Sequence, residues 1–285
     1  MTPDPASHGD TLRAGTLRLR EAGFEYARED ARALLVWACD CSTIDLISRE
    51  HEPIPSEAAR RYHAAIDQRA GGRPLQHIVG HALFYGLRLK SDARALVPRS
   101  DSECVVELAL EYLPHGASCR IADLGTGTGA LLAALLTARP DTSGTAVEAS
   151  DDACALAREN FAQLGLQARA DLFNGSWGEW HGWGKCDLII SNPPYIASGD
   201  IPDLAEDVRA HDPLSALDGG PDGLDAYRDL LTHAAQMQPG AFLVLEIGHD
   251  QKTAVCQLLE AAGFGQIEAR RDLGGNDRVV SGKRI

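Results

Sequence analysis

The sequence predicts an α/β protein: a mostly parallel twisted sheet with helices on both faces, preceded by a small helical domain and a β-hairpin linker. Three observations carry this. From about residue 100, β-like apolar runs alternate with helical periodicity, and each such crossover lays a helix over the sheet. A glycine-rich loop, Gly125 to Gly129, follows one of these runs and opens a helix. Residues 1–75, by contrast, carry helical periodicity alone. The expected boundaries are 1–76 for the helical domain, 77–100 for the linker and 101–285 for the sheet domain.

In the helical domain Ala31, Leu34, Leu35 and Ala38 share one helical face. Ser56, after Pro55, reads as the N-cap of a helix carrying Ala59, Tyr62, Ala65 and Ile66, which Gly71-Gly72 stops. LFYGLRL and ALVPR are short β-like runs around Gly86 and Asp92, the expected hairpin. Next come a strand from Cys119 to Gly125, a helix from Ala130 to Pro140, the strand GTAVEAS and a helix from Asp152 to about Leu164. ARADLF and DLIIS are strands, followed by a helix from about Leu224 to Met237, the strand AFLVLEI and a helix from Gln251 to Ala262. QIEAR and RVVSG close the sheet, with Gly274 to Arg278 as the turn between them.

Charge and composition remove several function classes. A net charge of -14 does not advertise the basic surface with which proteins track a phosphate backbone. No apolar run approaches the roughly 20 residues of a membrane span. The start, MTPDPASHGD, lacks the basic and apolar regions of an export signal, so a cytoplasmic protein is expected. Seven scattered cysteines without a C-x-x-C pair read as reduced, mostly buried thiols, and ten histidines show no ligand spacing, so no metal is expected.

The loop Asp123-Leu-Gly-Thr-Gly-Thr-Gly-Ala130 is built for a nucleotide-type ligand. Its glycines allow a tight turn and close approach to bare backbone, and the helix start offers free N–H donors. Glu148 ends the next strand, where a carboxylate can accept hydrogen bonds from both hydroxyls of a ribose. Gly125, Gly127 and Ala130 also satisfy the dinucleotide pattern G-x-G-x-x-A, so the loop leaves the cofactor open. A purely structural glycine turn is the bland alternative.

The strand LIIS runs into Asn192-Pro193-Pro194-Tyr195. Each proline holds the residue before it extended, and neither supplies an N–H. The Asn192 side-chain oxygen and the Pro193 carbonyl become two acceptors aimed at one place. Their complement is a planar –NH2 group on an amide or a base, with Tyr195 available to stack on it. Fixing both hydrogens of an amide favours partial pyramidalisation, aligns the nitrogen lone pair with an electrophilic carbon and stabilises the charge that develops. That is chemistry for moving a methyl group without a metal or a covalent intermediate. The bland reading, in which Pro-Pro only ends a strand, leaves the glycine loop and Glu148 unexplained. Trp180 and Trp183 read as packing in a surface turn, and Asp218 to Asp225 as a loop leading into a helix.

Gly125 to Gly129, Glu148 and Asn192 to Tyr195 together resemble class I S-adenosylmethionine-dependent methyltransferases that act on amino groups. More narrowly, the chain resembles the PrmC/HemK family of release factor glutamine methyltransferases. The similarity extends through Pro74 to Leu87, Leu96 to Glu103, Asp207 to Arg228, Leu245 to Gln251 and Gly274 to Val280. NPPY alone is shared with DNA, RNA and protein methyltransferases; the flanking segments and the helical N-terminus narrow it. The resemblance implies a Rossmann-like domain that methylates the side-chain amide (N5) of the glutamine in the Gly-Gly-Gln motif of class-1 peptide chain release factors.

The resemblance further implies that Gly125, Thr126, Gly127, Thr128 and Gly129 cradle the methionine part of S-adenosyl-L-methionine. Glu148 would hold the ribose, and Trp177 would lie near the adenine. Asn192, Pro193, Pro194 and Tyr195 would grip the glutamine amide, with Asn192, Pro193 and Tyr195 carrying the chemistry. The N-terminal helices would help to dock the release factor. No direct nucleic-acid substrate and a monomer are expected. Ser176 stands where the family often has an acidic residue, and Asp171 is the nearest upstream acid. The hinge that commonly reads PRPETE reads Pro98 to Glu103 as PRSDSE here, without the second proline. The alternative is a nucleic-acid amino-methyltransferase acting on adenine or guanine, which would have to extract a base and bind phosphates. An NAD-dependent oxidoreductase would leave NPPY without a purpose, and a non-catalytic adaptor would have no need of the intact tetrad.

Overall fold

The computed structural model describes residues 6–285. They divide into two compact units. One takes in the chain up to Gly80 together with Ala205–His211, and the other His81–Leu204 and Asp212–Ile285.

The first unit is helical: α1 (His8–Glu21), α2 (Ala27–Cys39), α3 (Thr43–Ser48), α4 (Ser56–Ala70) and the single turn α5 (Leu75–Val79). Ala31, Leu34, Leu35 and Ala38 do share the buried face of α2, packed with Tyr62, Ala65 and Ile66 of α4. Each apolar side chain buried this way contributes about 1.5–3 kcal/mol, less for alanine. Gly15 allows the approach of α1 to α4, because a Cβ there would stand 2.0 Å from the Tyr62 hydroxyl. The cap of α4 differs from expectation. Pro55 is the N-cap and Ser56 the first helical residue, since the fixed proline φ already shapes the entry and no side-chain cap forms.

In the second unit β1 (His81–Phe84) and β2 (Leu87–Lys90) form the antiparallel hairpin. ALVPR is not a strand but irregular chain, and α6 (Glu103–Glu111) follows it. The sheet is built from β3 (Arg120–Leu124), β4 (Ser143–Glu148), β5 (Ala170–Asn174), β6 (Leu188–Ser191), β7 (Phe242–Glu246), β8 (Phe264–Arg271) and β9 (Asp277–Arg284). Their spatial order is β5-β4-β3-β6-β7-β9-β8, with β9 antiparallel to β7 and to β8 and all other pairs parallel.

Helices α7 (Ala130–Ala138), α8 (Asp151–Gln163), α10 (Asp225–Ala234) and α11 (Lys252–Ala261) complete the layers; α9 (Glu206–His211) belongs to the first unit. One apolar core gathers Val105 and Leu108 of α6 with Leu132, Leu135 and Leu136 of α7 and Phe161 of α8. The other gathers Tyr227 and Leu230 of α10 with Val255 and Leu259 of α11. Trp180 and Trp183 sit in that second core, 7% and 1% exposed, not in a surface turn. The Trp183 indole N–H is satisfied there by the Trp177 carbonyl at 2.9 Å, which lets so large a ring be buried.

The chain leaves β3 for β4 and β5 on one side and returns to β6 on the other. The switch therefore lies between β3 and β6, where the ends Leu124 and Ser191 are in register. Crevices for ligands open at such points.

Candidate active site

The glycine loop leaves the end of β3 with Gly125, Gly127 and Gly129 at φ 73°, 55° and 81°, a region costly for other residues. Gly129 is demanding on a second count: a Cβ there would lie 2.8 Å from the Phe161 ring. Beneath the loop Asp123, 1% exposed, accepts from the Thr126 hydroxyl at 2.6 Å. Burial pushes its carboxyl up to about 7, against the pull of Thr126 and the Leu132 amide. Glu148 closes the loop from β4, its two oxygens accepting from the Gly127 amide at 2.9 Å and the Ser150 amide at 3.0 Å. Asn160 of α8, fully buried, donates to the Thr128 carbonyl at 2.9 Å and exchanges hydrogen bonds with Lys90 of the hairpin.

These residues border a cleft of about 800 Å³ that opens at the carboxyl ends of β3, β4, β5 and β6. Gly125, Thr126, Gly127, Thr128, Glu148, Trp177, Asn192 and Pro194 line it. Gly129 does not; its place is the start of α7. The Trp177 indole N–H donates to Asp229 of α10, which also lines the cleft, and the ring edge passes 3.9 Å from where a Gly125 Cβ would be. Ser176 lines the cleft too, with its hydroxyl donated to Glu179 at 2.8 Å, whereas Asp171 is exposed on β5 and outside the lining.

Asn192 donates Nδ2–H to the Ser102 hydroxyl at 3.3 Å, and neither its Oδ1 nor the Pro193 carbonyl accepts a hydrogen bond from any described residue. Two acceptors therefore remain at the end of β6. Pro193 itself is buried and lines no part of the cleft. Tyr195 departs from expectation: it packs against the second core and donates its hydroxyl to Glu246 at 3.4 Å, so it is not disposed to stack on a ligand in the cleft. A buried hydroxyl needs a partner, and Glu246 supplies it. Burial and the Glu246 carboxylate raise the Tyr195 phenol well above its ordinary range. Glu246 itself is pushed up to about 7 by burial, with Ser102 and Arg278 pulling it down.

The backbone after Asn192 is held by a glycine-rich clamp. Ile196 N–H donates to Leu217, Gly219 N–H to Ile196 and Ser198 N–H to Gly220. Gly223 must be glycine, with φ 72° and a would-be Cβ 2.4 Å from the Tyr195 carbonyl. Gln251, ahead of α11, donates to the carbonyls of Tyr195 and Gly223 at 2.8 and 3.1 Å, while its oxygen accepts from Gly248. Sequence reasoning missed Ser102, Glu246, Gln251, Asn160 and Asp229. Only their place in the resembling segments flagged Ser102, Glu246 and Gln251, and Asn160 carried no signal beyond a polar residue on the apolar face of a helix.

The residues present suit a donor that joins a ribose to a sulfonium amino acid. Glu148 offers a carboxylate at the end of β4, the loop offers bare backbone, and Trp177 offers a flat apolar face with Asp229 beside it. Among the described residues no group of histidines, cysteines and carboxylates could hold a metal ion, and no helix is long and apolar enough to cross a membrane. All seven cysteines are free; Cys154 and Cys186 are buried and the other five half-buried.

Fold and cleft define a Rossmann-like, class I type methyltransferase. Solved structures agree at the level of fold: a methyltransferase from Pyrococcus furiosus superposes with TM-score 0.51 at 19% identity, covering 70% of this chain and 89% of that one. Residues 10–80 match the PrmC N-terminal domain and residues 103–210 the methyltransferase small domain. The release factor glutamine methyltransferase of Moorella thermoacetica is 43% identical over 92% of this chain and 93% of its own. That of Cereibacter sphaeroides is 42% identical over 96% and 97%, and that of Caulobacter vibrioides 38% over 93% and 92%. The chain belongs to the release factor glutamine methyltransferase family.

Proposed function

We propose that this enzyme transfers a methyl group from S-adenosyl-L-methionine to the side-chain amide nitrogen of a glutamine, the one in the Gly-Gly-Gln motif of class-1 peptide chain release factors. Family membership over nearly the whole chain supports the reaction. The observation that carries the site is Asn192, which lines the cleft that Glu148 and the glycine loop border with its Oδ1 uncommitted; the adjoining Pro193 carbonyl, on a residue buried behind the lining, is the second uncommitted acceptor.

The donor supplies a methyl carbon activated by its positively charged sulfur. The chain supplies position and charge complementarity. Glu148 and the loop hold the donor's polar parts. Asn192 Oδ1 and the Pro193 carbonyl each take one N–H of the glutamine amide, turning the nitrogen lone pair toward the methyl carbon and favouring the positive charge that builds on nitrogen. As the N–CH3 bond forms the S–CH3 bond would break, its electron pair returning to sulfur to give S-adenosylhomocysteine, and the methylated amide would release one proton to solvent. The N-terminal helices dock the release factor, whose role in translation places the reaction in the cytoplasm.

Methyl-labelled S-adenosylmethionine incubated separately with release factor, tRNA, rRNA and duplex DNA tests this. Label is expected on the release factor glutamine alone. Label on nucleic acid alone would instead identify a base amino-methyltransferase, and label nowhere a non-catalytic adaptor.

A further inference from the structure

An amide that grips an –NH2 group must face it with oxygen. Asn192 could equally present Nδ2, whose hydrogens would oppose those of the substrate, because a half-turn of its terminal torsion exchanges the two at little intrinsic cost. In the structure Nδ2 is engaged with the Ser102 hydroxyl at 3.3 Å. Ser102 alone cannot enforce this, since a hydroxyl donates as readily as it accepts. Its polarity is set by where its own proton goes.

Behind Ser102 lies Glu246. It ends β7 one residue beyond Leu245, which pairs with Ser191, so it sits beside Asn192 across the β6–β7 pair. Glu246 is 3% exposed; Oε1 accepts from the Tyr195 hydroxyl, and Oε2 has no hydrogen-bond partner among the described residues. The Ser102 hydroxyl, itself buried, acts on this carboxyl and lowers its proton affinity. The unmet oxygen of a buried acceptor draws a neighbouring O–H, here that of Ser102, since the Tyr195 hydroxyl already serves the other oxygen. Arg278 of β9 and Asp101 before α6 are the other charged groups that act on it, and Arg278 is paired with Asp272 at 3.1 Å.

We propose that Glu246 is a positioning residue: its ionised carboxylate accepts a hydrogen bond from the Ser102 hydroxyl, commits the Ser102 oxygen to accepting from Asn192 Nδ2, and so fixes Asn192 Oδ1 toward the substrate amide. Through Tyr195 the same carboxyl anchors the last residue of the tetrad. This assignment rests on the amide-methylating role of the cleft. Turnover of the unaltered enzyme on release factor reads that role, and the ratios between variants read the assignment.

The experiment measures kcat and KM with release factor, and donor affinity by calorimetry, for S102A, S102T, E246Q and S102A/E246Q in the full chain. A glutamine at 246 puts an NH2 at one of the two oxygen positions, so a donor group faces either Ser102 or Tyr195. S102A and E246Q are each expected to lower kcat roughly tenfold, the scale of one neutral hydrogen bond, with donor affinity within about twofold. S102T, which retains the hydroxyl, recovers most of the S102A loss. The double variant falls little below the worse single one, because both changes break the same chain. Singles whose losses multiply, S102A with kcat within twofold of the parent, or S102T as impaired as S102A would each overturn the assignment. Should E246Q fail to fold, the S102A and S102T pair decides alone.

Discussion

The two halves of the cleft are held by different means. On the β3 side the ligand surface is largely backbone, shaped by three glycines within five residues and braced by Asp123, Thr126 and Glu148 from the same β–α–β unit. On the β6 side the proposed grip is two oxygens in a turn braced by Ser102, 90 residues earlier, and by Glu246 and Gln251, more than 50 later. A local surface suits a donor whose methionine and ribose are always the same. The long-range brace suits the reacting amide, where an error of a fraction of an ångström costs rate.

Substitutions can test whether donor binding and turnover separate along that line. The largest effect is expected at Asn192. Asn192→Ala removes one of the two acceptors and should lower kcat about 100- to 1,000-fold, the scale of losing one oxyanion-hole donor, with donor affinity unchanged by calorimetry. Near-normal turnover would move the amide grip elsewhere. Glu148→Ala should do the reverse, weakening donor affinity about tenfold to a hundredfold through lost charge-assisted hydrogen bonds. An unchanged dissociation constant would remove Glu148 from the ribose role. Gln251→Ala frees the Tyr195 and Gly223 carbonyls and should lower kcat about tenfold, with a fall in melting temperature and little change in donor affinity. Weakened donor binding in that variant would join the two halves.

The smallest expected effect concerns Asp123. Its folded pKa of about 7 lies above its unfolded value of 3.8, so the folded chain keeps a proton that the unfolded chain releases. That stabilising contribution is complete below pH 3.8 and is lost as pH rises through 7. Asp123→Asn has no proton to lose. Its melting temperature relative to the parent should therefore rise by roughly 5 °C between pH 5 and pH 8, and a difference independent of pH would contradict the buried neutral carboxyl.

The same contrast explains what could be read from the sequence. The β3 half was legible because its parts are contiguous: strand, glycines, helix start and an acid at the next strand's end. The Asn192 turn was legible as rigid and oxygen-rich because proline acts on its own neighbours. Its brace was not, since Ser102, Glu246 and Gln251 are ordinary residues that only the sheet order brings together. Tyr195 was misjudged for that reason: an aromatic beside a rigid turn suggests stacking, and only the position of Glu246 shows where the hydroxyl goes. Trp180 and Trp183 do pack, as expected, but in the core and not in a surface turn: their neighbours, Gly178, Glu179, His181 and Gly182, are surface-like while the rings turn inward onto α10.

The most direct test is a crystal structure with S-adenosylhomocysteine and a Gly-Gly-Gln peptide. The glutamine nitrogen should lie within about 3.2 Å of both Asn192 Oδ1 and the Pro193 carbonyl, facing the sulfur. A glutamine seated with Asn192 Nδ2 toward it, or with its amide out of reach of those oxygens, would contradict the account.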